Sequence, residues 1–564
     1  MITAIEHFSI FLQISIMCLF ISQCGFLFKK IIFVDHDNKN LEENGLFGFI
    51  FVGFISLIIN FFYPLNLIIN NIFFIIIFFI SVIFNFFKQD KIKLIKKIFF
   101  VSLFCYTLLI YSNVNNPDAL LYHLPYSKII NDEKIIIGLV NMHSRFGHIS
   151  IFQYISSFFN NSLFKENGVL IPIGLLTSYF FIYCYKLFKS DFKIDTLRLK
   201  SYLIFLILIF SLYSFNRYSG YGNDAQVHIY YFLAILYLLD FFIKKKTLLN
   251  FKKLSVICLF TFLIKPFYLI ILIIPLGIYL LIKKDFIILR SKFFIFVILF
   301  ALFWLLKNFL ITSCLIYPVQ KTCFKSTIWF DRNVERVSTE GEAWAKSWPR
   351  NLNKDLNQDE FNKSFNWVST WSQTHLLIIV EKLLPVVIFI ILNILFFYFT
   401  HCLKKNYKKN NDKLFLSIFV INLLFVALWF LIFPLYRFGI SLLFIFIILA
   451  SYFIFIRHID FIKIKKYYNF FIIFIILGFT GLLIKNFNRI SNKIDDPILP
   501  HMYDDKVHSN ITKKFINSKN QFTHYTKEDS SLCGYSISPC SEKKDQKLRI
   551  KNIYNYKLYY IYKH

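Results

Sequence analysis

Long apolar segments separated by short polar connections run along most of the chain. Many of these segments are about 20 residues long, which is the length that an α-helix needs to cross the hydrocarbon core of a bilayer. The pattern therefore predicts an all-α polytopic transmembrane protein. About fourteen spans are expected, near Phe8–Phe28, Leu46–Phe62, Leu65–Phe87, Ile98–Ser112, Val169–Phe188, Ser201–Phe215, Ala225–Ile243, Leu254–Ile264, Phe267–Ile282, Phe293–Thr312, Leu376–Thr400, Leu414–Phe433, Ile440–Ile456 and Tyr467–Ile484.

Lysine-rich connections alternate with connections that carry at most one cation, and this alternation predicts the orientation of the chain. The basic set is Lys88–Lys97, Lys186–Lys200, Lys244–Lys253, Lys283–Lys292, Lys404–Lys413 and Arg457–Lys466. Connections rich in Lys and Arg stay in the cytoplasm, so the connections between them are expected outside. The protein is accordingly predicted to lie in a bacterial cytoplasmic (inner) membrane with its N-terminus and C-terminus external.

The same alternation divides the chain into two parts. Residues 1–484 are predicted to form a helical transmembrane domain, with large external loops at residues 113–167 and 313–375. Residues 485–564 form an external tail or small lobe, in which YNYKLYYIYK has the alternation of a β-strand.

Composition agrees with a membrane protein and limits what the charge implies. The 564 residues are 57% hydrophobic with a mean hydropathy of +0.56, whereas soluble domains are about 45–50% apolar. The net charge of +30 is concentrated in the predicted cytoplasmic connections, where it also suits anionic headgroups. It therefore gives no reason to predict nucleic-acid binding.

The first cluster of ionisable side chains lies in the Asp118 loop, Asn113–Ser150. The loop starts with an Asn-Asn-Pro turn signal, and Ala119–Ile130 is predicted to form a short amphipathic helix. Asp118 opens that helix. Its carboxylate is either an N-cap that accepts hydrogen bonds from free N–H groups or a catalytic group at the edge of the membrane domain, and the local sequence leaves both interpretations open.

Three isolated cations on the predicted external side form a second group. Arg145, Lys265 and Arg437 lie in connections with few other basic residues, and we expect them to bind an anionic headgroup. Asp224 precedes a span and is either an N-cap or a functional carboxylate. The remaining members of the predicted substrate-binding set are Tyr122, His123 and Asn308.

Motifs for other chemistries are absent from the sequence. It has no Walker A loop, GxGxxG or GxSxG, so ATP-driven transport by this chain is not expected. His123, His143 and His148 lack zinc-site spacing, and no metal ligands are predicted. No cofactor is assigned, and a divalent cation held by Asp118 and a substrate phosphate is an open alternative.

Four of the ten cysteines fall in predicted external segments. Disulfides form in an oxidising compartment such as the bacterial periplasm. Cys533 and Cys540 are close in sequence and are predicted to pair, with Cys314–Cys323 as a weaker companion.

Several stretches carry a family resemblance: PDALLYHLPYSKII with IIIGLVNMHSRFGHIS, KNFLITSCLIYPV, GEAWAKSW, WFLIFPLYRFG, and LCGYSISPC with KLRI. In these stretches the chain resembles bacterial integral-membrane glycosyltransferases of the GT-C superfamily. More narrowly, it resembles a poorly characterised family of bacterial polytopic proteins associated with surface polysaccharide synthesis. The resemblance implies an essential carboxylate in the first external loop, which falls on Asp118, and a polyprenyl-phosphate sugar donor. The chain departs from the family at Ala119, where many relatives have Glu, and at Leu435-Tyr436, where the pattern has Asp-Pro.

The sequence thus predicts a glycosyltransferase that moves a sugar from a polyprenyl-phosphate-linked donor to a cell-envelope glycan or lipid acceptor at the external face. Asp118 would deprotonate or orient the acceptor hydroxyl, while the three cations would stabilise the departing phosphate. The alternatives are a transporter or flippase of lipid-linked glycans, a polymerase or ligase of such glycans, and a non-catalytic assembly subunit. A transporter is disfavoured because the polar groups concentrate on one side and no internal repeat is visible.

Overall fold

Helices form most of the computed structural model, which is 78% helical. It describes residues 2–35, 40–84, 86–88, 90–111, 118–218, 221–243, 247–281, 291–351, 356–403, 412–492, 499, 511–515, 523–527, 533–535, 538–541 and 547–561. The α-helices are α1 (Ile2–Phe28), α2 (Leu41–Phe62), α3 (Leu67–Ile83), α4 (Lys91–Leu109), α5 (Leu124–Asp132), α6 (Ile151–Phe158), α7 (Ile171–Asp191), α8 (Arg198–Ser214), α9 (Asp224–Ile243), α10 (Leu248–Ile264), α11 (Ile273–Leu281), α12 (Lys292–Thr312), α13 (Val334–Ala345), α14 (Gln358–Asn362), α15 (Val368–Trp371), α16 (Leu377–Phe399), α17 (Asp412–Ile432), α18 (Tyr436–Ile454) and α19 (Tyr468–Ser491).

The described residues contain ten helical segments that are long and apolar enough to cross a membrane. Two shorter apolar helices, Leu67–Ile83 and Pro266–Leu280, accompany them. Each segment predicted as a span coincides with a helix, but α4 begins with a run of lysines and α10 has only 17 residues. The protein is therefore an all-α, multi-pass membrane protein.

The centre of the bundle is formed by α7 and α9, which are the most deeply buried of these helices. By contrast, α16, α17 and α19 bury only about a quarter of their residues, and the exposed residues of these helices are predominantly apolar. Exposed apolar side chains on long helices are what lipid contact requires, because a lipid-facing surface gains nothing from polar groups. The burial pattern indicates that α7 and α9 lie inside the bundle and that α16, α17 and α19 face lipid.

A buried ion-pair cluster ties four helical segments together at one end of this core. The carboxylate of Glu43 accepts hydrogen bonds from Lys29 and Lys253 at 2.7 and 2.9 Å and from the hydroxyl of Tyr237 at 2.7 Å. Lys253 also lies 2.9 Å from Asp35. All four charged side chains are at most 11% exposed, so each charge depends on its partners in place of water.

The opposite end of the bundle carries the loop of residues 118–170, the loop of residues 313–375 and the C-terminal region, which are in contact with one another. The amide of Gly138 donates to the carbonyl of Leu310 at 2.8 Å, and the side-chain amide of Asn141 donates to Trp329 at 2.9 Å. Backbone hydrogen bonds also join Ile137 to Lys557 and Tyr559. The C-terminal region therefore lies on the same side of the bundle as Asp118, in agreement with the sequence prediction.

The C-terminal region contains the described strands. These are β1 (Ile511–Phe515), β2 (Thr523–Lys527), β3 (Cys540–Ser541), β4 (Leu548–Ile553) and β5 (Tyr556–Ile561). Strands β1 and β2 pair antiparallel, β3 joins β2 in parallel, and β4 and β5 form an antiparallel hairpin. The hairpin covers most of the stretch whose alternation predicted a strand.

Two disulfides lie in these peripheral segments, with the pairings that the sequence predicted. Cys533 is bonded to Cys540, and Cys314 is bonded to Cys323. The amide of Gly534, inside the first of these loops, donates to the carbonyl of Leu120 at 2.8 Å. The Cys533–Cys540 loop therefore packs directly on the segment that follows Asp118.

Cysteine accessibility tests this arrangement of sides. Tyr554 and Ile328 are 94% and 67% exposed at the Asp118 end, while Ile194 is 50% exposed beyond the far end of α7. The native cysteines are either buried or disulfide-bonded, so background labelling of the parent protein should be low. With an impermeant maleimide, Tyr554→Cys and Ile328→Cys should be labelled from one side and Ile194→Cys only from the other. Labelling of all three from one side would contradict the fold.

Candidate functional site

Asp118 stands at the start of a π-helical segment, Ala119–His123, which leads into α5. The wide turn has a local cause: Pro125 has no N–H to donate to Leu121, and its ring clashes with the carbonyl at that position in a regular helix. The predicted helix Ala119–Ile130 is thus present but begins as a π turn and extends to Asp132. Asp118 itself has helical dihedral angles, and its side chain makes no capping hydrogen bond to the π-helical segment, so the described contacts do not support the N-cap interpretation of its carboxylate.

The carboxylate of Asp118 contacts two arginines. One oxygen lies 3.4 Å from Nη1 of Arg145, and the other accepts a hydrogen bond from Nη1 of Arg437 at 3.0 Å. Arg437 also approaches Asp224, whose carboxylate accepts a hydrogen bond from Nζ of Lys265 at 2.5 Å. These five residues form one ion network, hereafter called the external network after the side of the membrane on which the sequence predicts them. It unites the predicted catalytic residue with four of the predicted substrate-binding residues.

Each member of the external network is positioned by its own segment. The ring of His143 accepts a hydrogen bond from the amide of Arg145 at 3.1 Å and shapes its turn. Arg437 lies in the first turn of α18, and its carbonyl accepts from His228 at 2.8 Å. The site is therefore assembled from distant parts of the chain at the end of the bundle.

The external network is open to solvent, unlike the buried cluster around Glu43. The side chains of Arg145 and Arg437 are 44% and 51% exposed, and those of Asp118 and Asp224 are 25% and 34% exposed. Exposed ion pairs contribute about 0–1 kcal/mol to stability. Stability alone therefore gives a weak reason to gather three cations and two carboxylates here, whereas solvent access suits ligand binding.

Tyr122 and His123 flank the external network. The guanidinium of Arg145 lies 5.4 Å from the ring centroid of Tyr122, within cation–π range. Burial and the nearby charge of Asp118 raise the pKa of the Tyr122 hydroxyl. Burial lowers the pKa of His123 to about 4, so its imidazole is neutral at pH 7.

The structure also fixes which nitrogen of His123 carries the proton. Oε1 of Gln153 accepts from the amide of Ser150 at 2.9 Å, so its Nε2 is the group that faces Nδ1 of His123 at 3.1 Å. Nδ1 is therefore an acceptor, and in a neutral imidazole the proton then resides on Nε2. His123 presents an N–H donor on its other edge.

Asn308 lies apart from these contacts. Its side-chain amide donates to the carbonyl of Leu315 at 2.9 Å, and the backbone carbonyl of Asn308 accepts a hydrogen bond from the hydroxyl of Thr312. Both bonds close the end of α12. The described contacts thus give Asn308 a structural position, and its predicted role in substrate binding stays a prediction.

Two polar side chains next to Asp224 were not singled out from the sequence. Nδ2 of Asn223 lies 3.5 Å from Nδ1 of His123, and Gln226 follows in the first turn of α9. Both flank Asp224 in SGYGNDAQVH, so their proximity to a candidate carboxylate was the available signal. The Ser150–Gln153 capping box, which orients His123, also matches a sequence motif.

The described residues contain no group of three or more His, Cys, Asp or Glu side chains that could hold a metal ion. Both carboxylates of the external network face side-chain cations. The divalent cation left open by the sequence therefore stays an untested alternative.

The protonation of His123 generates a pH prediction. The unfolded imidazole has a pKa of about 6.5, above the folded value of about 4, so its contribution to stability is present above pH 6.5 and is lost as the pH falls towards 4. Between pH 7 and pH 5 this loss is about 2 kcal/mol. Unfolding in mixed micelles should show a pH dependence smaller by that amount in His123→Gln. An unchanged pH dependence would contradict a neutral, buried His123.

The family model described as Domain of unknown function (DUF8201) matches residues 8–444. This range contains all five residues of the external network and most of the membrane-spanning helices. No curated protein and no solved structure matches the chain. Because the match covers more than half of the sequence, the chain belongs to the family of DUF8201 domains.

Proposed function

We propose that this protein is an integral membrane glycosyltransferase of the GT-C type. It transfers a sugar from a polyprenyl-phosphate-linked donor to a glycan or lipid acceptor of the cell envelope. The carrying observation is the external network, in which a carboxylate suited to proton transfer contacts cations suited to phosphate. The resemblance of PDALLYHLPYSKII and WFLIFPLYRFG to GT-C proteins supports the same reaction, because Asp118 and Arg437 lie in these two stretches.

Charge balance favours an anionic ligand at the external network. Arg145, Lys265 and Arg437 supply three positive charges, and Asp118 and Asp224 supply two negative charges, which leaves one positive charge. A sugar phosphodiester carries one negative charge and neutralises it. The two partly exposed arginines can turn towards a phosphate without leaving the site, and a guanidinium binds phosphate oxygens in bidentate fashion.

The transfer step uses the two kinds of group in turn. The acceptor oxygen attacks the anomeric carbon of the donor as the bond from that carbon to the phosphate oxygen breaks. The proton of the acceptor hydroxyl passes to the Asp118 carboxylate, and the electron pair of the broken bond leaves with the phosphate. Arg145, Lys265 and Arg437 stabilise the charge that develops on the departing phosphate.

The membrane arrangement proposed for this reaction has about fourteen spans in a bacterial inner membrane, with the external network and both termini outside. Support comes from the lysine-rich connections, which alternate with the lysine-poor ones. A lipid-linked donor presents its phosphate at headgroup level, which is where helix ends lie. A transporter would instead place its binding site near mid-span.

Asp118→Asn is the direct test of the catalytic proposal. General acid–base catalysis contributes on the order of 10²–10⁴ in rate, so sugar transfer in reconstituted liposomes should fall at least about 100-fold. Thermal stability should change little because the ion pairs of Asp118 are partly exposed. The matched control is Asp132→Asn, an acidic residue of the same loop that pairs with Lys128 outside the network. Parent-level transfer by a folded Asp118→Asn protein would refute the proposal.

Lys265→Ala tests the phosphate contact separately. The substitution removes one of the three cations and leaves the carboxylate of Asp118 in place. Donor affinity should weaken about tenfold or more, since a charge-assisted hydrogen bond contributes about 1.5–3 kcal/mol, while acceptor affinity should stay close to that of the parent. Titrations of transfer rate against each substrate measure both quantities. A selective loss of acceptor affinity would contradict the proposed contact between Lys265 and the donor phosphate.

A further inference from the structure

Four cations from three separate segments meet beside the lipid-facing helices α16 and α19. Lys485 and Arg489 lie in the last turns of α19. Lys382 lies near the start of α16, and Arg217 lies in the connection between α8 and α9. Because that connection leads to Asp224, the group is at the same end of the bundle as the external network. We name these four cations the basic rim.

Hydrogen bonds hold the end of α19 against the connection that carries Arg217. Nζ of Lys485 donates to Oδ1 of Asn216 at 2.7 Å, and the side-chain amide of Asn486 donates to the backbone carbonyl of Asn216 at 2.9 Å. Arg217 follows Asn216 directly in the chain, and its charge acts on both Lys485 and Arg489. These three cations therefore form one positively charged corner.

Ring contacts between α16 and α19 place Lys382 at the same level. Phe396 stacks on Phe470 with 4.3 Å between the ring centroids, and Phe389 lies 6.1 Å from Phe474. Contacts that move back along α16 as they move forward along α19 show that the two helices run antiparallel. Continued by about two turns, this register brings Lys382 beside the last turns of α19, and its charge indeed reaches the ammonium there.

The basic rim carries more positive charge than its described neighbours neutralise. Lys382 lies 3.2 Å from the carboxylate of Glu381. Among the residues that the structure describes, no carboxylate forms an ion pair with Arg217, Lys485 or Arg489. The dipole of α19 favours cations in its last turns, but Lys485 and Arg489 stand four positions apart, where like charges repel. The dipole also gives no reason for Arg217 and Lys382 to join them, so an anion from outside the chain is the missing partner.

The surroundings of the basic rim suit a lipid headgroup. Arg217 and Lys485 are exposed, and apolar side chains of both helices are exposed next to the cations, such as Ile484 at 61% and Leu384 at 52%. One turn before Lys485, on the same face of α19, a Cβ on Gly481 would have nothing within 4 Å. Accessible cations at the end of an open apolar face match a phospholipid, whose phosphate lies at the end of its acyl chains.

We propose that the basic rim binds the phosphate of an anionic glycerophospholipid in the external leaflet, with the acyl chains along α16 and α19. Arg217 and Lys485 contact the phosphate, because they are exposed, while Lys382 and Arg489 add their charge from beside it. The excess of positive charge selects a headgroup with net negative charge, such as that of phosphatidylglycerol, over a zwitterionic one. This lipid site is separate from the external network and does not depend on sugar transfer.

A fluorescent label at the level of the acyl chains tests which lipid occupies this position. Leu477 shares a face of α19 with Gly481 and Lys485, is 58% exposed, and lies about 12 Å from Lys485 along the helix. Leu477→Cys can carry the label because the native cysteines are buried or disulfide-bonded. The same label at Leu424→Cys, on the lipid-facing helix α17, reports lipid away from the basic rim.

The full-length protein is reconstituted in phosphatidylcholine vesicles that contain nitroxide-labelled phosphatidylglycerol or nitroxide-labelled phosphatidylcholine, and quenching gives their relative affinities. At Leu477 phosphatidylglycerol should bind about fivefold or more tightly than phosphatidylcholine, the effect of one Lys or Arg on an anionic headgroup. At Leu424 the two lipids should quench alike. The double variant Arg217→Gln with Lys485→Gln should lose the preference at Leu477 and keep its phosphatidylcholine quenching.

Two further variants control for charge and folding. Lys325→Gln with Arg332→Gln removes two exposed cations from the loop of residues 313–375, so it changes the net charge equally and should keep the parent preference. Lys382→Gln should reduce the preference about twofold or more. Circular dichroism and gel filtration establish that each variant folds, and Lys382→Gln decides the question if the double variant at Arg217 and Lys485 does not.

Three results would overturn the lipid site. The first is equal quenching by the two lipids at Leu477 in the parent protein. The second is a parent-level preference in the folded double variant, or in Lys382→Gln where that variant takes its place. The third comes from competition: if unlabelled undecaprenyl phosphate relieves the quenching about tenfold more effectively than unlabelled phosphatidylglycerol, the basic rim binds a polyprenyl carrier instead.

Discussion

The carboxylate of Asp118 is the contact that joins the two halves of the external network, which the rest of the site surrounds. Its partner Arg145 is 27 residues away in sequence, whereas Arg437 is 319 residues away. No single connection between membrane helices supplies all five residues of the external network, so the site combines several connections. Asp118 does this directly, and Arg437 continues the connection to Asp224 and Lys265. The geometry of the site is therefore set by ion contacts between segments that the helices bring to one end.

The two ends of the bundle use the same kinds of side chain for different purposes. Around Glu43 the charges are buried, and the removal of one partner leaves a charge without solvation, which is strongly destabilising. In the external network the side chains are between about a fifth and a half exposed. Water therefore offsets most of the energy that is lost when one charged partner is removed. The first arrangement fixes helices against each other. The second tolerates the exchange of one anion for another, which a binding site requires.

The sequence could predict which residues would meet, because topology alone brings them together. Arg145, Lys265 and Arg437 stood out as cations on the lysine-poor side, and one side of a membrane offers few places for them. The same reasoning could not predict which atoms form hydrogen bonds or how the local backbone turns. Neither the π turn after Asp118 nor the orientation of the Asn223 and Gln226 amides follows from periodicity, since both depend on tertiary contacts. Asn308 shows the converse limit, because a polar residue at a helix end can serve the backbone as well as a ligand.

A chain of local interactions links the fold to the chemistry at His123. The Ser150–Gln153 capping box begins α6 and thereby fixes the amide of Gln153. That amide occupies Nδ1 of His123, and burial keeps the ring neutral, so the ring carries a single N–H, on Nε2. Pro125 widens the preceding turn, which positions Asp118 for its arginines. Asp118 and His123 are thus separated by one π-helical segment. A shift of that segment would move both side chains together, so the spacing between the carboxylate and the imidazole is built into the backbone.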